Sequence, residues 1–280
     1  MGQVAGGRLQ VTGASVRGAS HIRSGLPNQD EMKIWQPPRS GSGLPVILTL
    51  SDGHGSQKSF RSRTGAYFAV HAAVETIKEF IESQSDVSNF TRVKRIAEEQ
   101  LPKELARRWK AKVISDIEKS PFSSEQSELL KGKDSLVAYG ATLLAVLLTS
   151  EFIMYWQIGD GDILTVSEKG EVERPMPKDE RLFANETTSL CTKDAWRDFR
   201  FCFQPVLDSP PKLILLATDG YANSFGTDES FLKVASDILE IIQTEGFNFV
   251  CKNLQDWLKE ASESGSGDDI TVGLICSTER

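Results

Sequence analysis

Three aspartates in this sequence share one setting. Asp52, Asp160 and Asp219 each follow an apolar run of strand length and each precede a glycine, in Leu48-Thr49-Leu50-Ser51-Asp52-Gly53, Trp156-Gln157-Ile158-Gly159-Asp160-Gly161 and Leu216-Ala217-Thr218-Asp219-Gly220. A fourth acidic unit, Asp268-Asp269, stands immediately before the run Ile270 to Cys276, and Asp30 closes Leu26-Pro27-Asn28-Gln29-Asp30 ahead of another strand candidate. A single Asp-Gly step after a strand is ordinary turn chemistry. Repetition changes its meaning: in an antiparallel sheet the start of one strand lies at the same edge as the end of its neighbour, so all these acids can meet on one rim. Four or five carboxylates brought together repel, and relief comes from protonation or bound cations. Oxygen ligands without organised His or Cys select hard ions, so Mg2+ or Mn2+ is the expected occupant. Two such ions lower the pKa of a shared water and clamp a phosphoryl group for in-line attack.

The elements that must position these acids can be read from the runs themselves. Residues 46–50, 140–148, 152–158, 162–166, 199–203, 213–217 and 270–276 are short, apolar and rich in Val, Ile, Leu or aromatics, which predicts strands. Ala66, Ala69, Val70, Ala73, Val74, Ile77, Phe80 and Ile81 recur at helical spacing and predict a helix with one buried face. A second helical stretch begins near Val93, and Pro102 suits the first turn of a further helix carrying Leu105, Trp109, Val113 and Ile117. Thr227 before Asp228 and Glu229 reads as a helix start with acids where the macrodipole favours them, running to about Thr244 before Gly246. A last helix carries Val250, Leu254, Trp257 and Leu258, while the polar stretch Glu168 to Trp196, with Pro175 and Pro177, reads as a mobile excursion. Hairpin-like strand pairs with helices added in blocks indicate an α+β architecture, not a doubly wound one.

Composition narrows the function classes. The chain has 280 residues, 39 Asp+Glu against 32 Lys+Arg for a net charge of −7, 39% hydrophobic and 25% charged residues. That is ample for a full hydrophobic core and excludes a disordered, collagen-like or disulfide-stapled chain. With no basic block, nucleic acid is not the expected ligand. No run of about 20 apolar residues crosses a membrane and the start lacks a secretory core, so the expectation is a cytoplasmic protein. Cys191, Cys202, Cys251 and Cys276 show no paired spacing and read as reduced thiols.

Six motifs in order, Asn28-Gln29-Asp30, Ser51-Asp52-Gly53-His54-Gly55, Gly140-Ala141-Thr142, Ile158-Gly159-Asp160, Ala217-Thr218-Asp219-Gly220 and Gly267-Asp268-Asp269-Ile270-Thr271-Val272, resemble the metal-dependent PP2C-type (PPM) serine/threonine phosphatases over about residues 14–276. The resemblance implies a single domain, residues 1–280, built as a four-layer αββα sandwich of two antiparallel sheets flanked by helices. It also implies a helical insertion at about 85–135 and a flap at about 167–198. It implies a binuclear Mn2+ or Mg2+ centre, with Asp52 bridging both ions, the Gly53 carbonyl on one, and Asp219 and Asp268 on the other. By the same resemblance Asp30 would act mainly through water, and Asp160 with Asp219 would form a third, weaker site. The implied reaction is hydrolysis of phosphoserine or phosphothreonine by a metal-bridging hydroxide. His54 would protonate the leaving oxygen, a task suited to a group titrating near neutrality. A phosphorylated protein is the implied substrate, a cognate kinase or its target the implied partner, and a monomer the implied state.

Two departures from the family pattern bear on the substrate. Members carry an arginine five residues before the Asn-Gln-Asp aspartate to hold phosphate, and here that position is Gly25; either Arg23 or His21 substitutes, or phosphate binding is weakened. The Gly-Asp-Ser-Arg of the family reads Gly159-Asp160-Gly161-Asp162, and its Asp-Asn reads Asp268-Asp269, which resembles a divergent bacterial branch. A catalytically weak or inactive PP2C-like module that binds phosphoproteins is the alternative. Cys191 to Arg197 also has the Cys-x5-Arg spacing of cysteine-dependent phosphatases, but it contains no glycine to free a phosphate cradle and places Asp194 within it.

Overall fold

The computed structural model describes residues 8–38, 43–84, 88–179, 187–207 and 209–278. In chain order the elements are β1 (Arg8–Val16), α1 (Ala19–Ser24), β2 (Glu31–Trp35), β3 (Val46–Ser51), α2 (Ser62–Ser83), α3 (Phe90–Glu99), α4 (Leu101–Lys119) and α5 (Ser124–Leu130). They continue with β4 (Leu143–Leu148), β5 (Phe152–Ile158), β6 (Asp162–Val166), β7 (Val172–Glu173), β8 (Arg200–Pro205), β9 (Leu213–Ala217), α6 (Asp219–Ala222), α7 (Asp228–Glu245), α8 (Phe247–Ser264) and β10 (Ile270–Thr278). The strands form two antiparallel five-stranded sheets, ordered β1-β10-β9-β6-β7 and β2-β3-β4-β5-β8. Helices α7 and α8 cover the first sheet, α2 with α3 and α4 covers the second, and the expected four-layer sandwich results.

The continuous apolar runs follow from this stacking, because a strand covered on both faces has no solvent side to mark with polar residues. In β3, Val46, Leu48 and Leu50 face the other sheet, where they meet Ile214, Leu216 and Ile275, while Ile47 points outward under Val74 and Ile77 of α2. Helix α2 buries the Ala66, Ala69, Val70, Ala73, Val74, Ile77 and Phe80 stripe. Its alanines let α4 approach closely: Trp109 of α4 is fully buried and its indole Nε1–H donates to the Gly65 carbonyl of α2 at 2.9 Å. Helix α7 starts as its sequence indicates, the Thr227 hydroxyl accepting from the Ser230 N–H with Asp228 and Glu229 in the first turn, and stops at Gly246. No helix among the described residues is long and apolar enough to cross a membrane.

Several elements differ from the sequence expectation. Strand β1 carries Gln10, Thr12, Gly13 and Ser15, so it shows no apolar run; it is an edge strand, held by pairing with β10 along nine residues. The strand expected from Gly140 begins at Leu143, because a 3-10 turn over Ser135–Tyr139 delivers the chain and Ala141 makes an isolated bridge to Gly53. The strand expected at Phe199–Phe203 is β8, shifted by one residue at its start and ending at Pro205. The stretch expected as an excursion contains β7 and a 3-10 turn over Ala195–Arg197, while its residues 180–186, like 85–87 of the expected insertion, lie outside the described residues.

Trp109→Ala removes a fully buried indole that links α4 to α2. It should destabilise the fold by about 3–5 kcal/mol in urea unfolding, since large aromatic truncations in a core cost that much.

Candidate metal centre

Register places the acids. Because Glu31 pairs with Ser51, Asp30 and Asp52 leave the β2–β3 ladder side by side. Strands β3 and β5 both run antiparallel to β4, so Asp52 and Asp160 emerge from the same edge of one sheet. In the facing sheet Ala217 pairs with both Asp162 and Val272, which brings Asp219, the start of β6 and Asp268-Asp269 to that same end. One ligand oxygen each of Asp52, Asp160 and Asp219 lies within 4.8 Å of the others. Asp268 stands in a second grouping with His21 and Asp269. A cavity of about 750 Å3 opens over the rim, its lining including Asp52, Gly53, His54, Asp160, Asp219 and Asp268 as well as Arg174, Lys178 and Arg200.

Backbone contacts hold the acids in register. The Thr142 N–H donates to the Asp52 carbonyl at 2.8 Å and the Asp52 N–H donates to the Thr142 hydroxyl at 3.0 Å, so the Gly140-Ala141-Thr142 motif anchors Asp52. The His54 N–H donates to the Gly140 carbonyl at 3.0 Å, and a Cβ on Gly140 would stand 2.3 Å from the His54 ring carbon. Gly140 is therefore a glycine because the imidazole occupies the space of any side chain there. Thr218 donates its hydroxyl to Asp30 Oδ2 at 2.8 Å and accepts the Thr271 N–H at 2.9 Å, tying β9 and β10 to the β2 acid.

The electrostatics are those of unneutralised charge. Burial raises the Asp52 carboxyl well above the usual range, and the charges of Asp30, Asp219 and Asp160 push it further. Burial raises Asp30 to about 7, with Asp269 adding to it against the hydrogen bonds from Thr218 and Thr271. Asp219 likewise rises to about 7 through burial and the nearby Asp160 and Asp268. Asp30 Oδ1 is buried with no hydrogen-bond partner. A buried acceptor of this kind beside converging carboxylates fits divalent cations, which satisfy both the charge and the open lone pairs. His54 is held below its ordinary pKa by burial, opposed by the Asp160 charge.

The two phosphate candidates separate in the structure. Arg23 is exposed on α1 and is not among the residues lining the cavity, whereas His21 is. Gly25 caps α1 at φ 76° with no atom within 4 Å of where a Cβ would lie, so an arginine there would be strained and would point into open space. Sequence reasoning did not single out Asp269, which is buried and accepts the Gly18 and Gln29 N–H groups at 2.6 and 2.7 Å and His21 Nδ1 at 2.9 Å. Its signal was the doubled acid before β10. Arg174, held by Asp162 and Asp228, and Lys178 were hidden in the polar excursion. Cys191 lies outside the cavity, its thiol raised by burial, and Arg197 stacks on Trp196 at 5.0 Å, so the Cys-x5-Arg spacing assembles no site.

The family model described as Protein phosphatase 2C matches residues 17–259. Among solved structures, the serine/threonine phosphatase Stp1 from Staphylococcus aureus is 14% identical with a TM-score of 0.60, over 100% of this chain and 99% of that one. The catalytic domain of serine threonine protein phosphatase PstP in complex with two manganese ions is 18% identical with a TM-score of 0.54, over 96% and 98%. PppA, a regulatory component of the T6SS in Pseudomonas aeruginosa, is 14% identical with a TM-score of 0.56, over 96% and 98%. At these identities the likeness is one of fold. No curated protein matches the chain.

Carboxyls raised in the folded state bind protons more tightly than in the unfolded chain, so the stability they allow is full near pH 4 and falls as pH rises toward about 7. The chelated protein should therefore melt at a higher temperature at pH 6 than at pH 8. Mn2+ at a hundred times its Kd should restore about 2.7 kcal/mol at pH 8. Differential scanning calorimetry with and without chelator checks both.

Proposed function

Because the chain belongs to the protein phosphatase 2C family, we propose that it hydrolyses phosphoserine and phosphothreonine in proteins, with Mn2+ or Mg2+ at the acidic rim. The observation that carries this reading is the convergence of Asp52, Asp160 and Asp219 on one floor, beside the buried and unpartnered Asp30 oxygen. Two bound ions supply a water of lowered pKa and Lewis-acid stabilisation of the phosphoryl oxygens.

The chain's own groups do the rest. Asp52 and the Gly53 carbonyl would hold one ion, Asp52, Asp219 and Asp268 would hold the other, and Asp160 with Asp219 would offer a third place. Asp30 has one oxygen committed to Thr218 and the other buried without a hydrogen-bond partner. His54 lines the cavity with its ring fixed against Gly140, and a proton held loosely by a partly desolvated imidazole is one readily given to a departing seryl or threonyl oxygen. Arg174 also lines the cavity, its guanidinium held by Asp162 at 2.6 Å and by Asp228. A phosphorylated protein, the target of a cognate kinase, is the substrate class, and the cytoplasm the expected setting.

With a phosphothreonine peptide, activity should require Mn2+ or Mg2+ and vanish with chelator. Asp219→Ala should lower kcat by at least about a hundredfold and His54→Ala by about 10^2 to 10^4. Gly140→Ala should act in the same direction as His54→Ala by displacing the ring, and Cys191→Ser should change nothing. Loss of activity in Cys191→Ser contradicts the reading. Retained phosphopeptide binding with no turnover under any metal establishes the inactive phosphoprotein-binding module in its place.

A further inference from the structure

Acids alone make an all-oxygen ligand set, yet the rim also holds the His21 imidazole, set between Asp268 and Asp269. We propose that His21 is a nitrogen ligand of one of the ions, shared with Asp268 and oriented by Asp269. This rests on the metal-dependent reading above.

The Asp269 side chain is 3% exposed, and its carboxylate accepts three hydrogen bonds: from the Gly18 N–H at 2.6 Å, the Gln29 N–H at 2.7 Å and His21 Nδ1 at 2.9 Å. An ionised carboxylate accepts and cannot donate, so Nδ1 carries the hydrogen. In the neutral ring Nε2 is then a lone pair. That nitrogen stands 3.9 Å from Asp268 Oδ1, on a side chain 51% exposed to the cavity. The separation is too long for a hydrogen bond. It falls within the reach of two ligands on one ion, since bonds of about 2.1 Å to nitrogen and oxygen span at most about 4.2 Å, and the exposed Asp268 side chain can close it to the roughly 3 Å of adjacent octahedral ligands. A carboxylate behind an imidazole is the arrangement by which proteins fix the tautomer and aim of metal-binding histidines. Asp269, its oxygens already occupied, is the orienting group and not itself a ligand.

The backbone around His21 is fixed as well. Ser20 donates both its N–H, at 2.8 Å, and its hydroxyl, at 2.6 Å, to the Gly267 carbonyl, and the Arg17 guanidinium donates to the His21 carbonyl at 2.9 Å. Helix α1 is thereby clamped onto the start of β10, which holds the imidazole beside Asp268. An imidazole in the ligand set also shifts preference from Mg2+ toward Mn2+ and later first-row ions.

The test is pulsed electron paramagnetic resonance of the full chain saturated with Mn2+, together with calorimetric Mn2+ titration. The wild-type protein should show the nitrogen-14 modulation of a coordinated imidazole, and His21→Gln should lose it and bind one Mn2+ about 10- to 100-fold more weakly. Asp269→Asn should keep the nitrogen signal while weakening that site. Mn2+ binding that depends on Asp219 but shows no imidazole nitrogen in the wild type overturns the assignment of His21 alone, leaving the phosphatase reading in place. The same spectrum in wild type and His21→Gln overturns it equally. No Mn2+ binding, or binding indifferent to Asp219→Ala, sinks both.

Discussion

Repulsion among carboxylates is the constraint on which the rest of this structure depends. Asp30, Asp52 and Asp219 are gathered beside Asp160 where burial makes their charges expensive and neighbouring carboxylates make it worse. Left alone they would protonate or push apart. The surrounding chain prevents the second outcome: Asp52 is tied through both backbone groups to Thr142, and Asp30 is tied through Thr218 to Thr271. A rim held this way binds protons or cations, and the unpartnered Asp30 oxygen shows that hydrogen bonds within the protein do not fill it.

The sandwich supplies the stiffness. Two sheets, each with one face on the other and one under helices, are locked by side chains such as Leu48, Leu216 and Ile275 between them and Ile47 and Trp156 outside. Strand ends projecting from such a core have little freedom to drift, so the charges stay within reach of one another. Asp269 performs the same task from the side, gathering the Gly18 and Gln29 backbones and the His21 ring onto the start of β10. The net charge of −7 is thus unevenly distributed, with much of the acidic surplus concentrated where divalent cations would neutralise it.

Much of this was legible in the residues. Apolar runs before Asp52, Asp160 and Asp219, and the run after Asp268-Asp269, place the acids at strand ends, and antiparallel pairing alone carries them to one edge. Long-range packing hid the remainder. Strand β1 is defined by its partner β10 and not by its own composition. Gly140 reads as a strand residue until His54 is seen over it, and its neighbour Ala141 bridges to Gly53 instead of opening β4. Asp269 looks like the twin of Asp268, yet one is buried under three donors and the other half-exposed at the cavity, a distinction that arises only once α1 folds onto β10.

The most direct measurement is an anomalous difference map, collected at the manganese edge from crystals of the full chain grown in Mn2+. Two peaks at the rim are expected, both within bonding distance of Asp52, with one of them also bonded to Asp219 and Asp268 and flanked by His21. No peak at the rim, or manganese bound only away from Asp52 and Asp219, would contradict the central claim that these carboxylates are gathered to hold cations.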